Sequence, residues 1–208
     1  MTFASNNPYH HGDLRKILIN EAARLLSQNG ENGLSMRKLA GEIGVSRTAP
    51  YHHFKDKHEL LCAIAEEGFH RFDKIFVLDY PTISEKDLQD FARAYLSFAI
   101  DSSEYYDLMF GGKLWKSKVL TKTLKEAAYA CFRQYVEQVH RWQASRPPNP
   151  NLDALRYAQV TWSALHGMSR LLIDGIYLDK AAMNPICDQA GTMFWHSLFE
   201  DPRLPRQN

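Results

Sequence analysis

Apolar side chains recur along most of this chain at spacings of three and four residues, which is the period of one face of an α-helix. Polar residues stand where such runs begin: Ser35, Ser46 and Asp56 can each accept a hydrogen bond from a free amide of a first helical turn. Gly44 can adopt the left-handed conformation that a sharp turn needs. In the first part of the chain the pattern predicts helices at Asp13–Asn29, Ser35–Ile43, Ser46–Phe54 and Asp56–Val77.

The same period returns in the second part of the chain after an interruption. Tyr80-Pro81-Thr82 breaks the pattern and predicts a boundary between one domain over residues 11–71 and another over residues 82–200. Because strongly alternating strand patterns are missing, the predicted fold is all-α, with an N-terminal three-helix domain that contains a helix-turn-helix at 35–54 and then a helical bundle. The bundle helices are predicted at Glu85–Ile100, Glu104–Phe110, Ser117–Gln143, Asn151–Ile176 and Pro185–Phe199.

Bulk composition narrows the class of protein. The 208 residues have a formal net charge of +1 and a mean hydropathy of −0.41, which are values typical of a globular chain. No run reaches about 18 apolar residues, and the polar N-terminal segment lacks a signal-peptide pattern, so neither membrane insertion nor export is expected. The isolated cysteines lack CxxC spacing and indicate reduced thiols in a cytoplasmic protein; they are Cys62, Cys131 and Cys187.

Positive charge is concentrated in one segment of the chain. Residues 35–57 carry five basic side chains against two acidic ones, which gives a local charge of +3. Such a cluster on a nearly neutral chain favours nucleic-acid binding, whereas most short charge clusters are simply solvated helix faces. Charge alone therefore leaves both interpretations open.

The same segment has the form of a helix-turn-helix, in which one helix braces a second that can lie in the major groove of DNA. Arg47 can pair with guanine O6 and N7, and the methyl group of Thr48 can contact a thymine methyl. Pro50 would be the fourth residue of the second helix and predicts that this helix is short. A plain helical hairpin within a bundle is the alternative. The side chains suited to phosphate oxygens, which set register rather than sequence, are Tyr51, His52 or His53, and Lys57.

The run from Leu14 to Phe72 resembles the DNA-binding domain of the TetR family of transcriptional regulators. It contains the Tyr-x-His-Phe-x-x-Lys pattern typical of that family, here Tyr51 to Lys57, and it has Pro50 where the family often has a small residue or leucine. The resemblance implies that Ser35 and Arg37 contact DNA from the second helix. It also implies that residues 47–49 face the base edges and that residues 51, 53 and 57 contact phosphates. With His52 added for its chemistry, the predicted DNA-binding residues are Ser35, Arg37, Arg47, Thr48, Ala49, Tyr51, His52, His53 and Lys57.

Aromatic residues are dense between Phe91 and Trp142, and aromatic walls with few polar ends suit a pocket for a flat or apolar molecule. Ordinary core packing is the alternative for each of these residues. His166 also has a second interpretation, as a hydrogen-bonded structural histidine. The candidates for lining a ligand pocket are Tyr105, Phe110, Trp115, Trp162 and His166.

The segment from Trp162 to Gly167 resembles the Trp-x-x-x-His-Gly element of one class of TetR C-terminal domains. The resemblance implies a homodimer formed largely by the helices near 151–176 and 185–199. A two-fold dimer with one DNA-reading head per subunit requires a near-palindromic operator. The resemblance, and not the residues themselves, favours repression over activation. The predicted function is that of a repressor released from double-stranded DNA by a small hydrophobic or aromatic effector, whose identity the sequence leaves open.

Catalysis is not predicted, because the common hydrolase, protease and nucleotide-binding motifs are missing. No cofactor is predicted either. His10, His11 and Asp13 could bind a metal in principle, but adjacent histidines near a terminus are usually incidental. Two other functions stay open: a helical enzyme, which would need a reactive polar group among the aromatic residues, and a helical interaction module that does not bind DNA.

Overall fold

Helices make up most of the molecule. The computed structural model describes residues 11–76, 83–116, 119–146, 149, 151–176 and 179–199, and it describes side chains for all of these except 11–13 and 180. Within these ranges no β-strand occurs, and the predicted all-α fold is confirmed. The α-helices are α1 (His11–Asn29), α2 (Met36–Ile43), α3 (Lys57–Phe72), α4 (Glu85–Asp101), α5 (Ser103–Phe110), α6 (Gly112–Trp115), α7 (Lys122–Ser145), α8 (Ala154–Ile173) and α9 (Met183–Phe199).

Helix α2 begins after the predicted cap Ser35 and ends at the predicted turn residue Gly44. Ser35 Oγ accepts a hydrogen bond from the Lys38 amide at 3.1 Å, which satisfies a free donor of the first turn. Gly44 ends the helix in the left-handed conformation, with φ at 75°. Because Leu39 and Ala40 are fully buried, these two caps fix the helix against the core of the N-terminal domain.

Helix α3 starts with the predicted acidic cap. Asp56 Oδ1 accepts a hydrogen bond from the amide of Glu59 at 2.9 Å. The Glu59 carboxylate accepts in return from the amide of Lys55 at 2.6 Å, one residue before the cap itself, so the box is one residue wider than predicted. The α-helix ends at Phe72 and continues as a 3-10 helix to residue 76, while the predicted end at residue 77 lies outside the described residues.

The prediction of a third α-helix from Ser46 to Phe54 is wrong. This segment contains a 3-10 helix at Ala49–His52, and most of the backbone hydrogen bonds around it reach three residues back, although the Phe54 amide also donates to the carbonyl of Pro50. An α-helix would require Pro50 to donate an N–H to the carbonyl of Ser46, and proline has no N–H. Pro50 therefore shortens the helical segment further than predicted.

The bundle helices follow the predicted order with shifted ends. The helix predicted from Ser117 begins at Lys122, where Thr121 Oγ1 accepts from the Leu124 amide at 3.3 Å, and the short α6 precedes it. The predicted break at Tyr80-Pro81-Thr82 lies outside the described residues, so the domain boundary stays a prediction. Of the proline-rich loop at 146–150, only Arg146 and Asn149 are described.

Helices α4 and α9 approach each other at the level of the main chain. Gly191 is buried against α4, and a Cβ atom placed on it would lie 2.4 Å from the backbone nitrogen of Gln89. The guanidinium of Arg93 also reaches across this contact to the carboxylate of Asp188 at 2.6 Å. The spacing of the two helices therefore depends on a residue without a side chain.

A cluster of aromatic rings joins α3 to the bundle around Trp162. The Trp162 ring stacks on Phe76, with 5.4 Å between centroids, and meets Phe72 edge-on at 5.7 Å. Because Phe72 and Phe76 lie at the end of α3 and just beyond it, the helix that follows the 3-10 segment at Ala49–His52 contributes to the core of the bundle. The other rings within 6.2 Å of Trp162 are Tyr95, Phe110, Phe132 and Tyr135.

The described part of the chain shows neither a membrane-spanning helix nor a cluster of metal-binding side chains. None of its helices is long and apolar enough to cross a bilayer. No group of three or more histidine, cysteine or acidic side chains in it could hold a metal ion. The side chains of His10, His11 and Asp13 lie outside the described set.

Candidate nucleic-acid interface and aromatic cleft

Residues 47–53, here called the recognition turn, present polar side chains over an apolar base. Arg47, Thr48 and His52 are exposed, and 55% of the Tyr51 side chain is exposed. Pro50 is buried beneath them. The proline that prevents an α-helix therefore also anchors the segment, and the side chains around it point toward solvent.

The base of the recognition turn is held by Phe54. Its side chain is 2% exposed, and the guanidinium of Arg15 from α1 lies 5.5 Å from its ring centroid. The ring of His53, which is half-buried, lies 6.4 Å from the same ring at a tilted angle. Of the two histidines predicted for phosphates, His52 is thus the more accessible.

Hydrogen bonds between residues close in sequence fix the start of the recognition turn. Ser46 Oγ accepts from the amide of Ala49 at 3.2 Å, as predicted for a cap. The same oxygen lies 3.1 Å from the hydroxyl of Thr48. Thr48 is therefore orientated by its neighbour before any partner arrives, and Ala49 at the next position is half-buried.

The surface around the recognition turn is basic. Arg37 and Lys38 on α2 are exposed, as are Arg47 and Lys55. Among the residues that the structure describes, neither Arg37 nor Arg47 has an ion-pair partner. The acidic residue on α2, Glu42, lies 3.3 Å from Arg24 of α1, so its charge is partly compensated. This face can attract a polyanion.

Lys57 differs from the other predicted contacts because its ammonium group is already engaged. The side chain is half-buried, and Nζ donates a hydrogen bond to the backbone carbonyl of Glu31 in the turn after α1. An ammonium group has three N–H donors, so two remain for a phosphate. Ser35 is similar, because its hydroxyl oxygen already caps α2.

An apolar cleft of about 370 Å³ opens between α3, α5, α6, α7 and α8. Three of the five predicted pocket residues line it: Phe110, Trp115 and Trp162. The indole N–H of Trp115 donates to the carbonyl of Met109, which fixes that ring. The lining also includes residues that the sequence analysis did not select, namely Phe69, Met109, Ala128, Tyr129 and Phe132.

The other two predicted pocket residues lie outside this cleft. Tyr105 is buried, its ring lies 4.5 Å from the guanidinium carbon of Arg71, and its hydroxyl donates to Asn20 at 3.4 Å. Burial raises the pKa of Tyr105. His166 is not among the residues that line the cleft, but its ring contacts that of Phe110, with 5.0 Å between the two centroids.

The contacts of His166 agree with a hydrogen-bonded histidine. Its Nδ1 lies 2.7 Å from the hydroxyl of Tyr106, and the two rings stack at 5.5 Å. Burial lowers the pKa of His166, and the nearby charge of Arg170 lowers it further. The imidazole is therefore neutral near pH 7, and Nδ1 forms a hydrogen bond with the Tyr106 hydroxyl whose direction depends on the tautomer.

The residues missed by the sequence analysis carried only a weak signal. Ala128, Tyr129 and Phe132 lie on one side of α7, because Phe132 follows the other two by four and three residues. Phe69 comes from α3, which the sequence places in the DNA-binding domain. Nothing local shows that these helices meet, since their contact is a tertiary feature.

Comparison with known proteins agrees with both halves of this arrangement. Residues 18–64 match the family described as "Bacterial regulatory proteins, tetR family". Residues 88–189 match the family described as "Tetracyclin repressor-like, C-terminal domain". The two matches together cover more than half of the chain and include both the recognition turn and most of the aromatic cleft.

Individual relatives point the same way. The HTH-type transcriptional repressor AcnR of Corynebacterium glutamicum is 26% identical over 161 residues, which are 77% of this chain and 78% of that protein. The class C tetracycline repressor protein of Escherichia coli is 46% identical over 52 residues, 25% of this chain and 24% of that protein.

A solved structure extends the likeness over nearly the whole molecule. A protein with unknown function from Rhodococcus sp. RHA1 superimposes with a TM-score of 0.78 and 34% identity, covering 94% of this chain and 100% of that one. The helix-turn-helix, the helical bundle and the two family matches lead to one assignment. The chain belongs to the TetR family of DNA-binding transcriptional regulators.

Proposed function

We propose that the protein is a cytoplasmic repressor that binds a near-palindromic operator as a homodimer and is released by a small hydrophobic or aromatic effector. Residues 11–71 then form the DNA-binding domain, and residues 82–200 bind the effector and form the dimer. The observation that carries the proposal is the recognition turn, in which Arg47, Thr48 and Tyr51 are exposed above the buried Pro50. Repression is favoured because similar proteins are named repressors.

On DNA, the recognition turn enters the major groove. Arg47 pairs with a guanine, Thr48 contacts a thymine methyl, and Ala49 faces the neighbouring base edge. The remaining contacts go to phosphates and set the register of the DNA-binding domain on the duplex. They come from Ser35 and Arg37 on α2, from Tyr51, His52 and His53, and from Lys57 at the start of α3.

The exposed apolar faces of α8 and α9 support the proposed dimer. Along α8, Val160, Ala164, Gly167 and Leu171 are exposed at spacings of four, three and four residues, which is one continuous stripe. Val160 is 68% exposed, and Met193 on α9 is 61% exposed. A second copy related by a two-fold axis would remove this stripe from water.

The aromatic cleft supports an apolar effector. No charged side chain is among its lining residues, and a charged ligand would lose hydration there without gaining an ionic partner. The ring faces of Trp115, Trp162 and Phe132 suit a flat or hydrocarbon-rich molecule. Such an effector releases DNA only to the extent that it binds one dimer shape better than the other.

The direct test is selection of bound fragments from random duplex DNA, followed by sedimentation of the purified protein with the selected duplex. We expect an enriched sequence with two-fold symmetry, bound by two subunits or a multiple of two. Affinity should fall steeply with salt concentration, because phosphate contacts release counterions. Failure to enrich any duplex at low salt would overturn the proposed function. Enrichment of an asymmetric site by a monomer would overturn the dimer alone.

A further inference from the structure

Glu31, in the 3-10 turn between α1 and α2, bonds to two lysines from different parts of the molecule. Its backbone carbonyl accepts a hydrogen bond from Nζ of Lys57, the first residue of α3. Its carboxylate accepts one from Nζ of Lys113 on α6, at 2.7 Å. One residue of the DNA-binding domain thus connects a predicted phosphate contact to a helix of the bundle.

The local backbone brings Lys113 to this position. Gly111 separates α5 from α6, and a Cβ on it would lie 2.1 Å from the carbonyl oxygen of Asp107, so the turn requires glycine there. Lys113 and Glu31 both line a cleft of about 480 Å³ between the DNA-binding domain and the bundle. Lys113 is 79% exposed, so the ion pair is its chief described contact.

The two acceptors on Glu31 have different consequences for Lys57. The backbone carbonyl is neutral, so a lysine bonded to it keeps its positive charge available to a phosphate. The carboxylate is the stronger acceptor for an ammonium group, because it adds the attraction of an opposite charge to the hydrogen bond. A carboxylate without a partner, on the same residue, would compete with DNA for the Lys57 ammonium.

We propose that Lys113 is a positioning residue for DNA binding, which occupies the Glu31 carboxylate and thereby leaves the Lys57 ammonium on the carbonyl, available to a phosphate. The inference rests on the proposed function, because it takes Lys57 as a phosphate contact. It adds a residue from the bundle, outside the helix-turn-helix, to the determinants of affinity for DNA. Lys113 acts through Glu31 and need not touch the duplex.

The test measures the affinity for the selected duplex against salt concentration in matched variants. We expect Lys113→Met to lower the salt slope by about one unit and the affinity roughly fivefold near physiological salt, as Lys57→Met does, for all sequences alike. Lys113→Arg should keep the wild-type slope. Lys86→Met is the control, because Lys86 is also exposed and ion-paired, with Asp90 on α4.

The double variant Glu31→Gln/Lys113→Met separates this explanation from its alternatives. Without the carboxylate, Lys57 has no competing anion, so we expect the double variant to regain the wild-type slope. A double variant that stays weak would overturn the inference, because Lys113 would then act directly on DNA or on the fold. A normal slope for Lys113→Met alone, with Lys57→Met impaired, would also overturn it. Failure of the wild-type protein to bind any duplex would instead remove the proposed function.

Discussion

The DNA-binding domain and the aromatic bundle place their candidate binding residues in opposite ways. In the first, the residues fall within one stretch of 23, most are exposed, and their hydrogen bonds run to near neighbours such as Ser46 with Ala49. In the second, the candidate residues come from five helices, and their aromatic rings pack against one another. Local caps and one proline set the first surface, whereas long-range packing sets the second. Substitutions should therefore affect binding in the first region and stability in the second.

The largest expected effect concerns glycines in the two regions. Gly191→Ala should lower the free energy of unfolding by about 3 kcal/mol, because the new methyl group meets the backbone of Gln89. Gly41→Ala on α2, where a Cβ meets nothing within 4 Å, should raise it by up to about 1 kcal/mol. Chemical denaturation measures both. Equal stability of the two variants would remove the contrast between the regions.

Arg47→Ala tests the exposed surface directly. We expect specific binding to weaken by about 1–3 kcal/mol, with preference lost at one base position, because a bidentate contact to guanine disappears. Thermal stability should not change, since Arg47 is exposed. The matched control is Arg133→Ala, an exposed arginine on α7. Affinities for the selected duplex and its single-base variants give the answer, and undiminished discrimination at every position would show that Arg47 reads no base.

Ala128→Leu tests the aromatic cleft by filling it. Three added carbon atoms should lower the affinity for a neutral aromatic probe such as N-phenyl-1-naphthylamine about tenfold, which is about 1.4 kcal/mol. Ala130→Leu, on the exposed side of the same helix, is the control. Fluorescence titration measures probe binding. Equal affinity in the two variants would place the effector site elsewhere.

The smallest expected effect concerns pH and His166. Burial lowers the pKa of this histidine in the folded protein, so the unfolded chain takes up a proton first as the pH falls below about 6.5. Stability should therefore decrease from neutral to mildly acidic pH, and less so in His166→Gln, which stays neutral and can still form a hydrogen bond with the Tyr106 hydroxyl. Denaturation curves at pH 7.5 and 5.5 compare the two proteins. An equal decrease in both would assign the pH dependence to other groups.

The local features of the fold were predictable from the sequence because they depend on nearby residues. Ser35, Gly44 and Asp56 cap or end their helices as predicted, since each needs only a backbone amide or a permissive φ angle a few residues away. The third α-helix was wrong although Pro50 was noticed. Its effect was underestimated, because one missing N–H in a segment of nine residues leaves too few bonds for an α-helix.

The aromatic cleft could be predicted only in part for the opposite reason. Phe110, Trp115 and Trp162 were selected, but Tyr105 was selected with them although it faces Arg71 and Asn20. Periodicity tells which residues share a helix face, but not which helix that face meets. The contact between Lys57 and Glu31, 26 residues apart, was equally invisible in the sequence.

The contact at Gly191 also bears on which parts of the subunit can move. Where two main chains touch, as α4 and α9 do, one helix cannot slide without driving a peptide group into the next turn of the other. Since α9 belongs to the proposed dimer face, the contact would also hold α4 in place relative to the two-fold axis of the proposed dimer. We expect a bound effector to leave this pair as a fixed frame and to displace α6 and the start of α3 against it.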